Sequence, residues 1–203
     1  MTSRPVLEYV DVTKKFGGIT AIDELGLEIA VGSITGIIGP NGAGKSTLFN
    51  LTTGFLQPDA GRILLNGERI DGEKPHVIAN NGVGRSFQTP KIFEGMSVFD
   101  NLAFAARNQE GESVLNLWNP FSKHREIERE IRDRVQEELA FLELDHLSDE
   151  YARGLSGGQR KLLELGQVLM TDPEIILLDE PIAGVNPVLQ NQLLTHIDEL
   201  HSK

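Results

Sequence analysis

The sequence contains no cysteine. A disulfide framework and a thiolate metal site are therefore both excluded. Positive charge is scarce: 19 Lys and Arg stand against 30 Asp and Glu, for a net charge of −11. Binding a nucleic-acid backbone needs a basic surface, so no nucleic-acid partner is expected, although a few local cations can still serve a single nucleotide. Residues 1–10 hold no apolar h-region, and no secretion signal is expected. No apolar run approaches the roughly 20 residues that a membrane span requires. The chain is expected to be soluble, with any membrane contact made through a partner. Internal repeats and low-complexity tracts are absent as well. At 203 residues the chain suits one domain, and chains of this size bury about 70% of their unfolded surface.

The pattern that is present alternates strands and helices. Residues 6–12, 25–31 and 33–38 read as strands, the last a short apolar one running directly into a Gly-rich loop. Residues 46–53 read as a helix with Gly54 as its C-terminal cap. Residues 62–65 and 68–70 read as short strands about Asn66-Gly67, a pair that tolerates positive φ. After Gln88 the character changes. Helices are predicted at 99–107 and 125–142, with a loop at 109–120. In the second helix Ile127, Ile131, Val135 and Leu139 share one side and charges occupy the rest. Residues 174–178 read as a strand buried on both faces, and 188–200 as a final helix. The whole is an α/β chain with a helical insert.

Three motifs carry chemistry. Gly39-Pro40-Asn41-Gly42-Ala43-Gly44-Lys45-Ser46 fits G-x-x-x-x-G-K-[ST] in full. Glycines let the backbone wrap a phosphate, so that successive N–H groups form an anion nest. The following helix adds its positive dipole end. Lys45 can reach β- and γ-phosphates, and the Ser46 hydroxyl can hold Mg²⁺. At the end of the later strand, Asp179 would organise the Mg²⁺ shell and Glu180 would orient and deprotonate an attacking water. Acids at the carboxyl end of a strand sit where open α/β sheets bind ligands; alone they could equally form a surface turn before Pro181. Thirdly, Leu155-Ser156-Gly157-Gly158-Gln159 precedes a helix-like run at 161–170. Ser156 is a good N-cap, and the two glycines leave backbone N–H groups open for a second phosphate-binding terminus.

Together these motifs make the sequence resemble the nucleotide-binding subunits of ABC transporters, from about residue 6 to its end. The resemblance implies a P-loop NTPase core with a mixed central sheet, an N-terminal antiparallel β subdomain and an inserted helical subdomain. Its boundaries would put the core at about 1–88 and 154–203 and the helical subdomain at about 89–153. It makes residues 39–47, Thr47 included, the Walker A motif, residues 155–159 the signature, and Asp179 and Glu180 the Walker B acid and the catalytic glutamate. By the same resemblance Phe16 would stack on adenine and Gln88 would touch Mg²⁺ and report to the membrane partner. Ser156, Gly157, Gly158 and Gln159 would contact the nucleotide held by Lys45 of a second, head-to-tail subunit. The implied cofactors are ATP and Mg²⁺. The implied partners are permease subunits and, indirectly, a periplasmic or extracellular solute-binding protein. The implied place is the cytoplasmic face of the cell membrane.

Finer marks point to a subfamily. Residues 84–102 and Ala183-Gly184-Val185-Asn186-Pro187 resemble importers of branched-chain amino acids, or of related amides and urea, in which Asn186 commonly replaces an Asp. One departure stands out. The family's switch histidine should close a further strand well after Glu180, whereas His196 and His201 come too early, in a helical and polar stretch. The chain is therefore expected to be cut short and to turn over ATP poorly by itself. His76, His124 and His146 read as surface or loop residues. Ile92, Phe93, Met96 and Phe99 either line a groove for a permease helix or form the small core of the helical subdomain. Two other functions remain open: a soluble ABC ATPase acting on DNA or ribosomes, and a nucleotide-binding module without turnover. The DNA-repair type would carry a far longer insert between Gln88 and Leu155, and the ribosome-acting type a second cassette with basic linkers.

Overall fold

A computed structural model describes residues 5–87, 90–106 and 124–202. The chain divides into two compact units, residues up to Arg85 forming one and Ser86–Leu200 the other.

In the first unit, strands β1 (Pro5–Phe16) and β2 (Ile19–Ala30) form a long antiparallel hairpin, turning at Gly17 and Gly18. β3 (Ala60–Leu65) pairs with the other edge of β1, and β4 (Glu68–Arg69) with β3, in the order β2-β1-β3-β4. Asn66 and Gly67, with φ of 51° and 79°, make the β3–β4 turn, as their positive-φ tolerance predicts. The alternation of β1 sends Leu7 and Tyr9 into the core with Ile63 and Leu65, and the register shift after Tyr9 lets Val12 join them. Helix α1 (Lys45–Thr52) buries Leu48, Leu51 and Thr52. Tyr9 and Thr52 tie strand to helix through a buried 2.6 Å hydrogen bond. The Thr52 hydroxyl donates to Leu48 O, so the Tyr9 hydroxyl is the donor, and burial pushes its pKa up to about 12. Helix α2 (Pro75–Asn80) starts with Pro at N1 and buries Ile78, and β5 (Val83–Arg85) closes the unit.

One expected element is missing. Residues 33–38 form no strand, and Ile34 and Ile38 are 58% and 97% exposed. The physical reason is pairing: an apolar run becomes a strand only where a neighbour takes its N–H and C=O groups, and among the described residues no strand pairs with it.

The second unit is mainly helical. Helices α3 (Val98–Ala105), α4 (His124–Phe141) and α5 (Gly157–Met170) pack around Val98, Leu102, Val135, Leu139, Leu163 and Met170. Val135 and Leu139 lie on the predicted apolar side of α4, which confirms its 3.6-residue period. The strand β6 (Ile175–Leu177) follows. It is less enclosed than its sequence implies, for only Leu177 is buried and both isoleucines are half-buried. Helix α6 (Pro187–Ser202) ends the described chain. His196 on α6 departs from expectation: it is 5% exposed and packs its ring 4.8 Å from that of Phe141. The predicted loop at 109–120 lies outside the described residues.

Candidate functional site

The Gly-rich loop and α1 belong to the first unit. Gly42 and Gly44 have φ of 84° and 89°, a region that glycine enters without Cβ strain. The Ala43 amide donates to Pro40 O at 3.1 Å, closing a turn. Gly44 is the N-cap of α1 and has no side chain to take the helix's first amides. The N–H groups of Lys45, Ser46 and Thr47, which have no partner within a helix, are thus left for a ligand. The Lys45 ammonium donates to Gly39 O at 2.7 Å and Pro40 O at 2.9 Å, which holds its charge at the mouth of the loop. The arrangement is an anion nest on a helix N-terminus, suited to a polyphosphate.

Phe16 ends β1 at the hairpin turn and is 46% exposed. The Lys14 ammonium lies 5.7 Å from its ring centre and hydrogen-bonds Asp59 at 3.0 Å. The Lys15 amide and then Lys14 hold the Asp59 carboxyl below its ordinary range.

In the second unit, Ser156 caps α5 through a complete capping box. Its hydroxyl accepts from the Gln159 amide at 3.3 Å, and the Gln159 side chain accepts from the Ser156 amide at 2.9 Å. Gly157 is exposed, but Gly158 is buried. A Cβ on Gly158 would collide with the Leu189 side chain of α6, so this glycine is needed for packing as well as for any backbone contact. Asp179 is buried, and its amide donates to the Ser86 hydroxyl at 3.3 Å. Glu180 is exposed and has φ of 50°. A non-glycine residue in this left-handed region is uncommon and clusters at functional sites. Gln88 lies outside the described residues.

Three residues here escaped the sequence reading, and a fourth, Asn186, was read there only as a subfamily mark. Arg160 donates to Leu155 O, Arg153 O and Glu94, holding the loop before α5. Lys161 donates to three carbonyls after β6. Glu164 is buried and accepts from the amides of Phe87 and Lys91; burial pushes its pKa up. Asn186 caps α6, accepting from the Leu189 amide at 3.0 Å, and the only signal for that cap was Asn before Pro at N1. Ile92 and Phe99 pack against the helical core, whereas Phe93 and Phe104 form an exposed edge-to-face pair at 4.9 Å. Among the described residues no group of three His, Cys, Asp or Glu is placed to hold a metal unaided, and no helix is long and apolar enough to cross a membrane.

Comparison with known proteins agrees with this reading. The family model for ABC transporters matches residues 22–183. A probable branched-chain amino acid transport ATP-binding protein LivG of Methanocaldococcus jannaschii is 42% identical over 98% of this chain and 76% of its own length. The high-affinity branched-chain amino acid transport ATP-binding protein BraF of Pseudomonas aeruginosa is 38% identical over 99% and 79%. Among solved structures, the ADP conformation of an ATP-binding cassette of an ABC transporter superposes with a TM-score of 0.81 at 39% identity, covering 98% of this chain and 78% of that one. The chain belongs to the ABC transporter family, with the α/β fold of a P-loop NTPase, and is one of that family's ATP-binding, ATP-hydrolysing subunits.

Proposed function

We propose that the chain powers the uptake of branched-chain amino acids, or closely related small solutes, by hydrolysing ATP at the cytoplasmic face of a membrane. The observation that carries this reading is the glycine-capped start of α1, with Lys45 at the mouth of the loop. The names of the most similar relatives supply the solute class.

In this reading residues 39–47 wrap the phosphates and Phe16 stacks on adenine. Ser46, Asp179 and Gln88 would hold Mg²⁺. Mg²⁺ keeps several waters and takes one or two protein carboxylates plus phosphate oxygens. The hard oxygens of Ser46 and Asp179 fit that demand. The metal would neutralise charge on the phosphates. Glu180 orients the attacking water and takes its proton. Residues 156–159 close over the nucleotide of a second copy, head to tail, so that ATP binding pulls two subunits together and hydrolysis releases them. Permease subunits receive that motion through the helical subdomain, at about 89–153, while residues at about 1–88 and 154–203 form the catalytic core. The exposed pair Phe93 and Phe104 offers them an apolar foothold.

Titration calorimetry with Mg²⁺–ATP tests the nucleotide site. Lys45→Ala removes a charge-assisted phosphate contact, and affinity should fall roughly 10- to 150-fold. Unchanged affinity would overturn the site. Leucine uptake into proteoliposomes, with the permease subunits present, tests the solute class. Uptake no greater than that of Lys45→Ala would overturn the transport reading.

A further inference from the structure

The turn that follows Glu180 is held together from outside by two side chains. The Lys161 ammonium, two residues beyond Gln159 of the capping box, donates to Glu180 O at 3.0 Å, Pro181 O at 3.2 Å and Ala183 O at 2.7 Å. Its three donors are therefore all used on one turn. Gln190 of α6 takes two more of that turn's carbonyls, donating to Ile182 O at 3.2 Å and Val185 O at 2.8 Å. Within the turn itself only two short-range bonds close, Ala183 N to Glu180 O and Val185 N to Ile182 O, at 3.1 and 3.3 Å.

Converging carbonyl dipoles repel one another unless a cation sits at their focus. The left-handed backbone of Glu180, at φ 50°, is likewise unfavourable for a residue with a Cβ. Both features persist only where the surroundings over-determine them. The ammonium at the focus of three carbonyls supplies that constraint.

We propose that Lys161 is a positioning residue for the reaction: by clamping the carbonyls of Glu180, Pro181 and Ala183, it fixes the direction in which the Glu180 carboxylate leaves the backbone. Lys161 touches neither nucleotide nor water in this role. It acts through Glu180, and so the proposal rests on the reading of Glu180 as the base. A base aimed at a water must be held within hydrogen-bond reach of it, and a misplacement of about 1 Å can cost 10²-fold in rate. Lys161 also belongs to the helix that Ser156 caps. The signature motif and the catalytic glutamate are thereby fastened to a single helix.

Lys161→Met keeps the aliphatic stem and removes every donor. In the assembled transporter, kcat should fall about 10- to 100-fold while KM for ATP stays nearly constant, because an interaction used only in the transition state lowers kcat and not binding. Hydrogen exchange supplies a second readout: the amides of Ala183 and Val185 should exchange faster, with those of mid-α5 unchanged. Lys161→Gln, which keeps one amide donor group, serves the same two measurements should the Met variant unfold early. Unchanged kcat in a folded variant, or unchanged exchange at Ala183 and Val185, would overturn the proposal. Glu180→Gln separates the two ideas. If it turns over ATP like the wild type, the reading of Glu180 fails, whereas a dead Glu180→Gln beside a fully active Lys161→Met refutes the clamp alone.

Discussion

Replacing Gly44 by Ala tests the backbone geometry of the phosphate loop directly. Two costs add. The residue sits at φ 89°, and a left-handed conformation costs an L-residue roughly 1–2 kcal/mol. A Cβ would also stand 2.5 Å from Ala21 O and 3.4 Å from Ile22 Cγ1. The carbonyl belongs to the backbone of β2, which is paired with β1 and cannot swing aside like a side chain. Overpacking of this kind costs typically about 1–3 kcal/mol. The sum is about 2–5 kcal/mol, and each kcal/mol lowers Tm by roughly 2–4 °C in a chain of this size. Gly42 is the internal control: its φ is 84°, yet a Cβ there meets nothing within 4 Å. Gly42→Ala should therefore suffer the strain without the collision. Thermal unfolding followed by circular dichroism compares the two. Gly44→Ala should melt below Gly42→Ala by about 1–3 kcal/mol in stability, and its ATP affinity should fall because the first turn of α1 must shift. If Gly44→Ala proves no less stable than Gly42→Ala, the close approach of loop and strand is wrong.

Two further outcomes are expected. Asn101 is fully buried; its side chain donates to Phe93 O and Ser97 O and accepts from the Phe93 amide. Asn101→Ala should cost about 2–4 kcal/mol by leaving these groups unpaired, and a urea midpoint unchanged from wild type would refute that. Burial raises the Glu164 carboxyl pKa, against the pull of the Phe87 and Lys91 amides. Its contribution is complete below the ordinary carboxyl range and is lost as pH rises through the raised value. Wild type should accordingly lose ground to Glu164→Gln over that interval, and a stability difference independent of pH would count against it.

Much of the site was legible because phosphate binding is a local, backbone-centred chemistry. The residues of the Gly-rich loop and the Ser156 cap are each defined within a handful of neighbours, so their spacing in sequence already fixes their shape. The Asn66-Gly67 turn was legible for the same reason. What escaped was set by distant partners. Residues 33–38 have the composition of a strand, but composition does not say whether a neighbour is there to pair with them. His196 was assigned to a polar stretch because its flanks carry Thr195, Asp198 and Glu199. On a helix, however, it shares a face with Leu193, Ile197 and Leu200, which pack on or within the core, and the 3.6-residue period outweighs the local average. Glu164 and Lys161 carry no signal of their own within the helix-like run at 161–170. Their partners lie 77 residues before one and about 20 after the other.

These long-range partners share one helix, and that gives α5 a function its motif alone does not reveal. Arg160 grips Leu155 O, Arg153 O and Glu94; Lys161 grips the turn after Glu180; Glu164 grips Phe87 and Lys91 on either side of Gln88. The glycines of the same helix permit close approach rather than flexibility. A Cβ on Gly158 would strike Leu189, and one on Gly166 would come within 2.7 Å of Leu142 and 2.8 Å of Leu102. Each turn of α5 is thus committed to a different segment of the second unit. In the proposed reading, a ligand drawn to the Ser156 end would pull on a helix bonded to the turn after Glu180 and to Phe87 and Lys91, which flank Gln88 in sequence. A loop that merely presented amides to phosphate would need none of these bonds. In the proposed reading, closure over ATP moves several loops at once, and these bonds are what would couple those loops to the helix that Ser156 caps.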